Sequence, residues 1–134
     1  MVRYYVLLGI WLLGGFLIGA ILVPQTVKGK YETPIKAYTW ALSTMGPAAG
    51  ACIGVWHAHH RRKARNQTGI PGGVVVLLIL CSALQIAAML LTLFAEPFTE
   101  IEPSQWLDWS QFWLAPINAV IVAVVGGTLG ELSN

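Results

Sequence analysis

Charge is excluded from four long stretches of this chain. All eight Lys and Arg residues and all six Asp and Glu residues fall outside residues 4–23, 37–56, 72–95 and 112–130. A charge near the centre of a bilayer costs about 2.5–3.5 kcal/mol on insertion scales. Exclusion repeated four times is the mark of a membrane as solvent. Each stretch has about 20 residues, which matches a hydrocarbon core of about 30 Å when helical. The sequence therefore predicts an all-α integral membrane protein, an antiparallel four-helix transmembrane bundle. The four spans consume most of the 134 residues, so residues 1–134 form a single transmembrane domain.

The first stretch is longer than the apolar core of a secretory signal and has no small-residue cleavage site, so it is expected to be a retained span. The charges left over are sorted by connection. Arg61, Arg62, Lys63 and Arg65 crowd the second connection, and Glu96, Glu100, Glu102 and Asp108 crowd the third. The positive-inside rule puts the basic connection in the cytoplasm, and four spans then put both termini there. Lys28, Lys30 and Lys36 in the first connection count against this orientation. The expected location is a bacterial inner membrane or a plasma membrane, with the chain passing several times.

Small residues recur at helical spacing. Gly15 and Gly19 in span one, Gly46, Gly50 and Gly54 in span two, and Gly126 and Gly130 in span four each stand four apart. Residues four apart share a helix face, and glycine there lets two backbones approach closely. These faces exceed what four helices need among themselves, so a homo-oligomer is expected. Trp40 and Trp56 near the ends of span two are expected interface anchors. Trp106, Trp109 and Trp113 follow an i, i+3, i+7 rule on one helical face. With Pro103 and Ser104 as a start signal, residues 104–111 read as a short interfacial amphipathic helix before helix 4, running into that span.

Candidate functional groups are few. Gln85 and Asn118 are the deepest amides, joined by the hydroxyls of Ser43 and Thr44. In hydrocarbon such groups need partners, either as interhelical links or as the wall of a polar pathway. Glu100, Glu102 and Asp108 would sit at the outer mouth of such a pathway. His57, His59 and His60 stand beside Arg61, Arg62, Lys63 and Arg65. Imidazoles suit a transition metal, but four adjacent cations oppose a further cation. The segment reads instead as a cytoplasmic basic loop touching anionic lipid headgroups or a protein partner.

No metal and no cofactor are expected. A net charge of +2 gives no footprint for nucleic acid. Cys52 and Cys81 form no CxxC motif and read as small buried residues. No span carries Asp, Glu, Lys, Arg or His, which proton-coupled transporters and voltage sensors use. The connections hold no nucleophile–base set, so the chain is not expected to be an enzyme. Two expectations remain. One is a homo-oligomer that forms or gates a passive channel or pore. The other is a non-catalytic accessory or scaffold protein that docks other membrane helices, or a cytoplasmic partner through its basic segment.

Overall fold

A computed structural model describes residues 2–29 and 34–133 of the chain, and the described residues are almost entirely helical. The helices are α1 (Val2–Val27), α2 (Pro34–Ala64), α3 (Gly72–Ala95) and α4 (Pro103–Ser133), with a single 3-10 turn at Glu96–Phe98 after α3. Lys30, counted above in the first connection, lies outside the described residues. Three segments, Val2–Val27, Gly72–Phe98 and Pro103–Glu131, are long and apolar enough to cross a membrane. The second helix is long enough, but its glycines, Pro47, Thr39, Ser43 and Thr44 lower its mean hydropathy.

Each helix buries a stripe at three- and four-residue spacing. In α1 it is Tyr4, Leu7, Trp11, Gly14, Ile18 and Leu22. In α2 it includes Ala37, Trp40, Thr44, Ala48, Cys52 and Val55. The helices pack in a ring, α1 against α2, α2 against α4, α4 against α3 and α3 against α1. The opposite faces are as apolar as the core. Leu12, Phe16, Leu42 and Phe112 are 72–82% exposed. Apolar surface on this scale is not left to water, and it agrees with a multi-pass membrane protein.

The polar contacts sort the helix ends into two groups. Thr26 at the end of α1 bonds Tyr38 at the start of α2 (2.8 Å), and Lys36 bonds Asp108 at the start of α4 (2.8 Å). Trp106 of α4 donates to the carbonyl of Thr92 near the end of α3 (2.7 Å). At the other end, Tyr4 of α1 stacks on His59 of α2, with ring centroids 4.4 Å apart.

Several boundaries depart from the sequence reading. The first helix passes through Pro24, and stops only where Gly29 turns to a φ of 74° and donates to the Thr26 carbonyl. The basic segment is not a loop. Residues 57–64 continue α2 for two more turns, because Lys, Arg and Ala are good helix formers and the cations complement a helix C-terminus. Asn66, at a φ of 55°, then closes the helix. Its N–H bonds the Lys63 carbonyl, and the Gln67 N–H bonds the Arg62 carbonyl (2.9 Å), the paired closure of a Schellman cap. Residues 104–111 are helical and run directly into span four: they are the first turns of α4, which starts at Pro103 and continues unbroken to Ser133. Trp106 and Trp113 turn toward α3, where Thr92 offers their indoles hydrogen-bond acceptors.

Candidate functional site

From the middle of the bundle toward its acidic end runs a set of polar links built from side chains on all four helices. Trp11 donates its indole N–H to Ser82 Oγ (3.1 Å), joining α1 to α3, and Cys52 Sγ lies 3.8 Å from the same oxygen. Gln85 Nε2 donates to the backbone carbonyl of Thr44 (2.7 Å), joining α3 to α2. Gln111 Nε2 donates to the hydroxyl of the same threonine (3.1 Å), joining α4. Trp40 donates to Ser110 Oγ (2.8 Å), a second link from α2 to α4. Trp113 donates to Thr92 Oγ1 (2.9 Å), whose hydroxyl bonds back to the Ala88 carbonyl. The donors on Trp11, Trp40 and Gln85 are buried where an unmade bond would be costly.

Thr44 is therefore the hub, and Gln85 reaches it as expected. Ser43 does not join them. It lies on the exposed side of α2 and bonds the Trp40 carbonyl of its own helix (3.2 Å). Asn118 lies two turns beyond Gln111 on α4. Its Oδ1 and the Oε1 of Gln85 are buried without a hydrogen-bond partner. Gln111 is not among the candidate polar groups that the sequence offers. The missed signal is its spacing, since Gln111 and Asn118 are seven apart and share a helix face.

An open cavity of about 340 Å³ lies beside this hub, lined by Lys36, Trp40, Ser43, Asp108 and Gln111 among others. A polar line thus runs from the Lys36–Asp108 pair, through Gln111 and Thr44, to Gln85. Asp108 is held by Lys36, whereas Glu100 and Glu102 are exposed and take no part in this line.

The tryptophans expected as interface anchors divide. Trp40 is only 5% exposed and belongs to the core. Trp106 and Trp113 pack on each other, with ring centroids 5.4 Å apart, and turn their N–H groups to Thr92. Trp109 remains exposed, and Trp56 stacks on His60. An indole N–H beside a neighbouring helix finds an acceptor there, which end-of-span position alone does not reveal.

The histidines also divide. His57 is exposed, and His60 lies against Trp56. His59 points inward, and its Nδ1 accepts a hydrogen bond from the Ile70 N–H (3.2 Å). A Cβ on Gly69 would stand 2.6 Å from the His59 ring, so the loop closes over the imidazole only because residue 69 is glycine. Burial first, and then the nearby Lys63 charge, hold the His59 imidazole below its usual pKa. Among the described residues no three metal-ligating side chains gather. Arg62 ties the same loop down by donating Nε–H to the Thr68 carbonyl (2.7 Å). The cations at 61, 63 and 65 are exposed.

The glycine faces look outward. A Cβ on Gly19, Gly46, Gly50, Gly54, Gly126 or Gly130 would meet nothing within 4 Å. Gly15 alone of the expected set faces a neighbour, with Met45 of α2 at 3.6 Å. The glycine that seats a helix is Gly14, where a Cβ would stand 2.6–2.9 Å from three atoms of Ile86 in α3. Spacing finds a small-residue face but does not tell whether the partner belongs to the same chain. Between α1 and α2 an apolar groove of about 400 Å³ remains open, lined by Gly15, Gly19, Ala41, Met45 and Gly46 among others.

No family model matches the chain, and neither a curated protein nor a solved structure is found that matches it.

Proposed function

We propose that this protein is an antiparallel bundle of four membrane spans that acts by associating through its outer glycine faces with other membrane helices, first of all those of a second copy. The ends of α2 support the fourth span. One end is bonded to the end of α1 and the other is stacked on its start. A helix that accompanies α1 along its length crosses wherever α1 crosses. The orientation follows from the Arg3 and 61–65 cations at one end, which becomes the cytoplasmic one with both termini. Lys36, which counted against this orientation, is paired with Asp108. Cysteines placed at Lys63 and Glu100 are expected to label from opposite sides, with position 63 cytoplasmic. Labelling of both from one side would remove the four-span topology.

The association reading rests on one observation: the open space over Gly46, Gly50, Gly54, Gly126 and Gly130. Glycine inside a helix costs about 1 kcal/mol relative to alanine. Spent on a lipid-facing surface, that cost is offset only by close helix–helix contact. Among the described residues, no neighbouring helix comes within 4 Å of a Cβ at these positions. The reading is non-catalytic, and it covers an accessory role as well as a homo-oligomer. Mass measurement of the full chain released from lipid nanodiscs is the test. A defined oligomer, or a retained membrane partner, lost in Gly50→Leu supports association. A monomer of unchanged behaviour in both forms rejects it.

A passive pathway is the second reading, and the polar line from Asp108 to Gln85 favours it. The unpartnered oxygens of Gln85 and Asn118 are places where water would be held. Within one chain Gln85 is fully buried, so conduction would require a rearranged or oligomeric state. Ion flux into liposomes that falls in Gln85→Leu, with the assembly intact, would support it. No flux of any common ion from an intact assembly would end it.

A further inference from the structure

We propose that the basic end of the bundle carries a binding site for a phosphate group, in the cavity where the starts of α1 and α3 meet the end of α2. The cavity holds about 350 Å³ and is lined by Arg3, Tyr4, His59, Lys63, Ile70 and Gly72 among others. Among the described residues no carboxylate lines it. Glu96, Glu100, Glu102 and Asp108 belong to the opposite end, and Glu131 near the end of α4 is exposed and outside the lining.

Three kinds of donor converge there. Arg3 and Lys63 bring full positive charge, and Arg3 Nη1 lies directly over Gly72. The start of α3 brings backbone N–H groups. Its N-cap residue is Pro71, and no side chain caps the helix. A helix of 24 residues that opens on two glycines presents the N–H groups of Gly72 and Gly73 and the positive end of its dipole, while the Val74 N–H bonds the Pro71 carbonyl. The third donor is Tyr4. Its side chain is 4% exposed, it lines the cavity, and its hydroxyl is buried without a hydrogen-bond partner. A buried hydroxyl left unmade is costly in a native structure and calls for an absent partner.

His59 completes the wall. Its Nδ1 is engaged as an acceptor by the Ile70 N–H, so the neutral ring carries its proton on Nε2 as a further donor. The set is rich in donors and poor in acceptors. Two cations, an O–H and several N–H groups match the multiple acceptor oxygens of a phosphate better than the two of a carboxylate. The group would come from a phospholipid headgroup or from a soluble phosphorylated molecule. The chemistry is the same for both, and the site does not depend on the association reading.

The test is titration of the full chain in a neutral detergent with two probes, inorganic phosphate and dihexanoyl phosphatidic acid. Amide shifts of Gly72 and Gly73 report occupancy. Saturable shifts at both glycines are expected with at least one probe. Saturation by phosphatidic acid alone assigns a lipid headgroup, and saturation by inorganic phosphate assigns a site open to soluble phosphate. Tyr4→Phe keeps the ring stacked on His59 and removes only the hydroxyl, so it should weaken binding about tenfold, as for one hydrogen bond to a charged group. Arg3→Gln, at an exposed side chain, should weaken it at least as much. Arg65→Gln, outside the cavity, should not. Absence of saturation with both probes would overturn the site. So would saturable binding that Tyr4→Phe leaves unchanged, or equal losses in Arg3→Gln and Arg65→Gln, which indicate diffuse attraction.

Discussion

Gly14 and Gly15 are neighbours in α1, and they meet opposite surroundings. Gly14 is buried against the branched side chain of Ile86, with no room for a Cβ. Gly15 faces the groove beside α2, where the nearest atom to a Cβ would be the end of Met45 at 3.6 Å. One helix therefore has a closed seam toward α3 and an open groove toward α2. The closed seam is sealed further along by the Trp11–Ser82 bond, while the open groove is lined almost entirely by apolar atoms and small residues. In a bilayer there is no hydrophobic drive between helices, so fit decides which contact forms. The seam is where this chain holds itself together. The groove is where it has fit left to offer.

The largest effect should come from breaking the seam. Gly14→Ala places a methyl group within 3 Å of Ile86 and should cost about 1–3 kcal/mol, with Gly14→Leu costing more. Thermal unfolding in detergent measures it. Ile86→Ala in the same chain should recover much of the loss, since it vacates the space that the methyl needs. Gly50→Leu is the counterpart on the open side and should leave the unfolding midpoint of the isolated chain unchanged. A large fall in Gly50→Leu, with none in Gly14→Ala, would invert the comparison.

An intermediate effect should come from the bonds that tie the helix ring. Trp40→Phe keeps a buried aromatic ring and leaves the Ser110 hydroxyl oxygen without its donor, at a cost of about 0.5–1.5 kcal/mol. Gln85→Leu removes both the bond to the Thr44 carbonyl and an amide oxygen that has no partner. Those two consequences oppose one another, so its stability change should be smaller than the bond alone suggests. A Gln85→Leu protein less stable than the Gly14→Ala protein would show that the polar hub, and not the seam, is the main support.

How much of this was legible follows from what each signal measures. The four apolar stretches mark helices because charge exclusion is a property of whole segments. Helix ends were less legible. Pro24 reads as a stop but sits inside α1, and residues 57–64 read as a loop because their charge says where they are, not how they fold. Gln85 and Thr44 were recognisable as polar groups in need of partners, and they found each other. Gln111 and Tyr4 were not, because their importance comes from neighbours far along the chain. The glycine periodicity was plain, yet period is blind to direction. Gly14 seats a helix without any GxxxG partner, while Gly46, Gly50 and Gly54 form the longest ridge and would offer a Cβ no neighbour within 4 Å.

The smallest effect should be a pH dependence at the other end of the seam, where His59 joins α2 to the 66–71 loop. Burial and the Lys63 ammonium hold the folded imidazole below its ordinary value near 6.5. Above that value the ring is neutral in both states, and folding takes up no proton. As pH falls through it, the unfolded chain binds a proton before the folded one does, so stability declines toward acid. Protonating Nδ1 also removes the acceptor that holds the Ile70 N–H. Tyr4 stacks on the ring and adds no charge to offset the change. The expected observation is faster exchange of the Ile70 amide, with a slightly lower unfolding midpoint, as pH drops below about 6.5. His59→Asn keeps an acceptor without a titrating nitrogen and should flatten this dependence, while His60→Gln should not. An Ile70 amide that exchanges equally on both sides of that value would show that the loop is held by Arg62 and the Schellman cap alone. The contrast would then lie wholly between the Gly14 seam and the open groove.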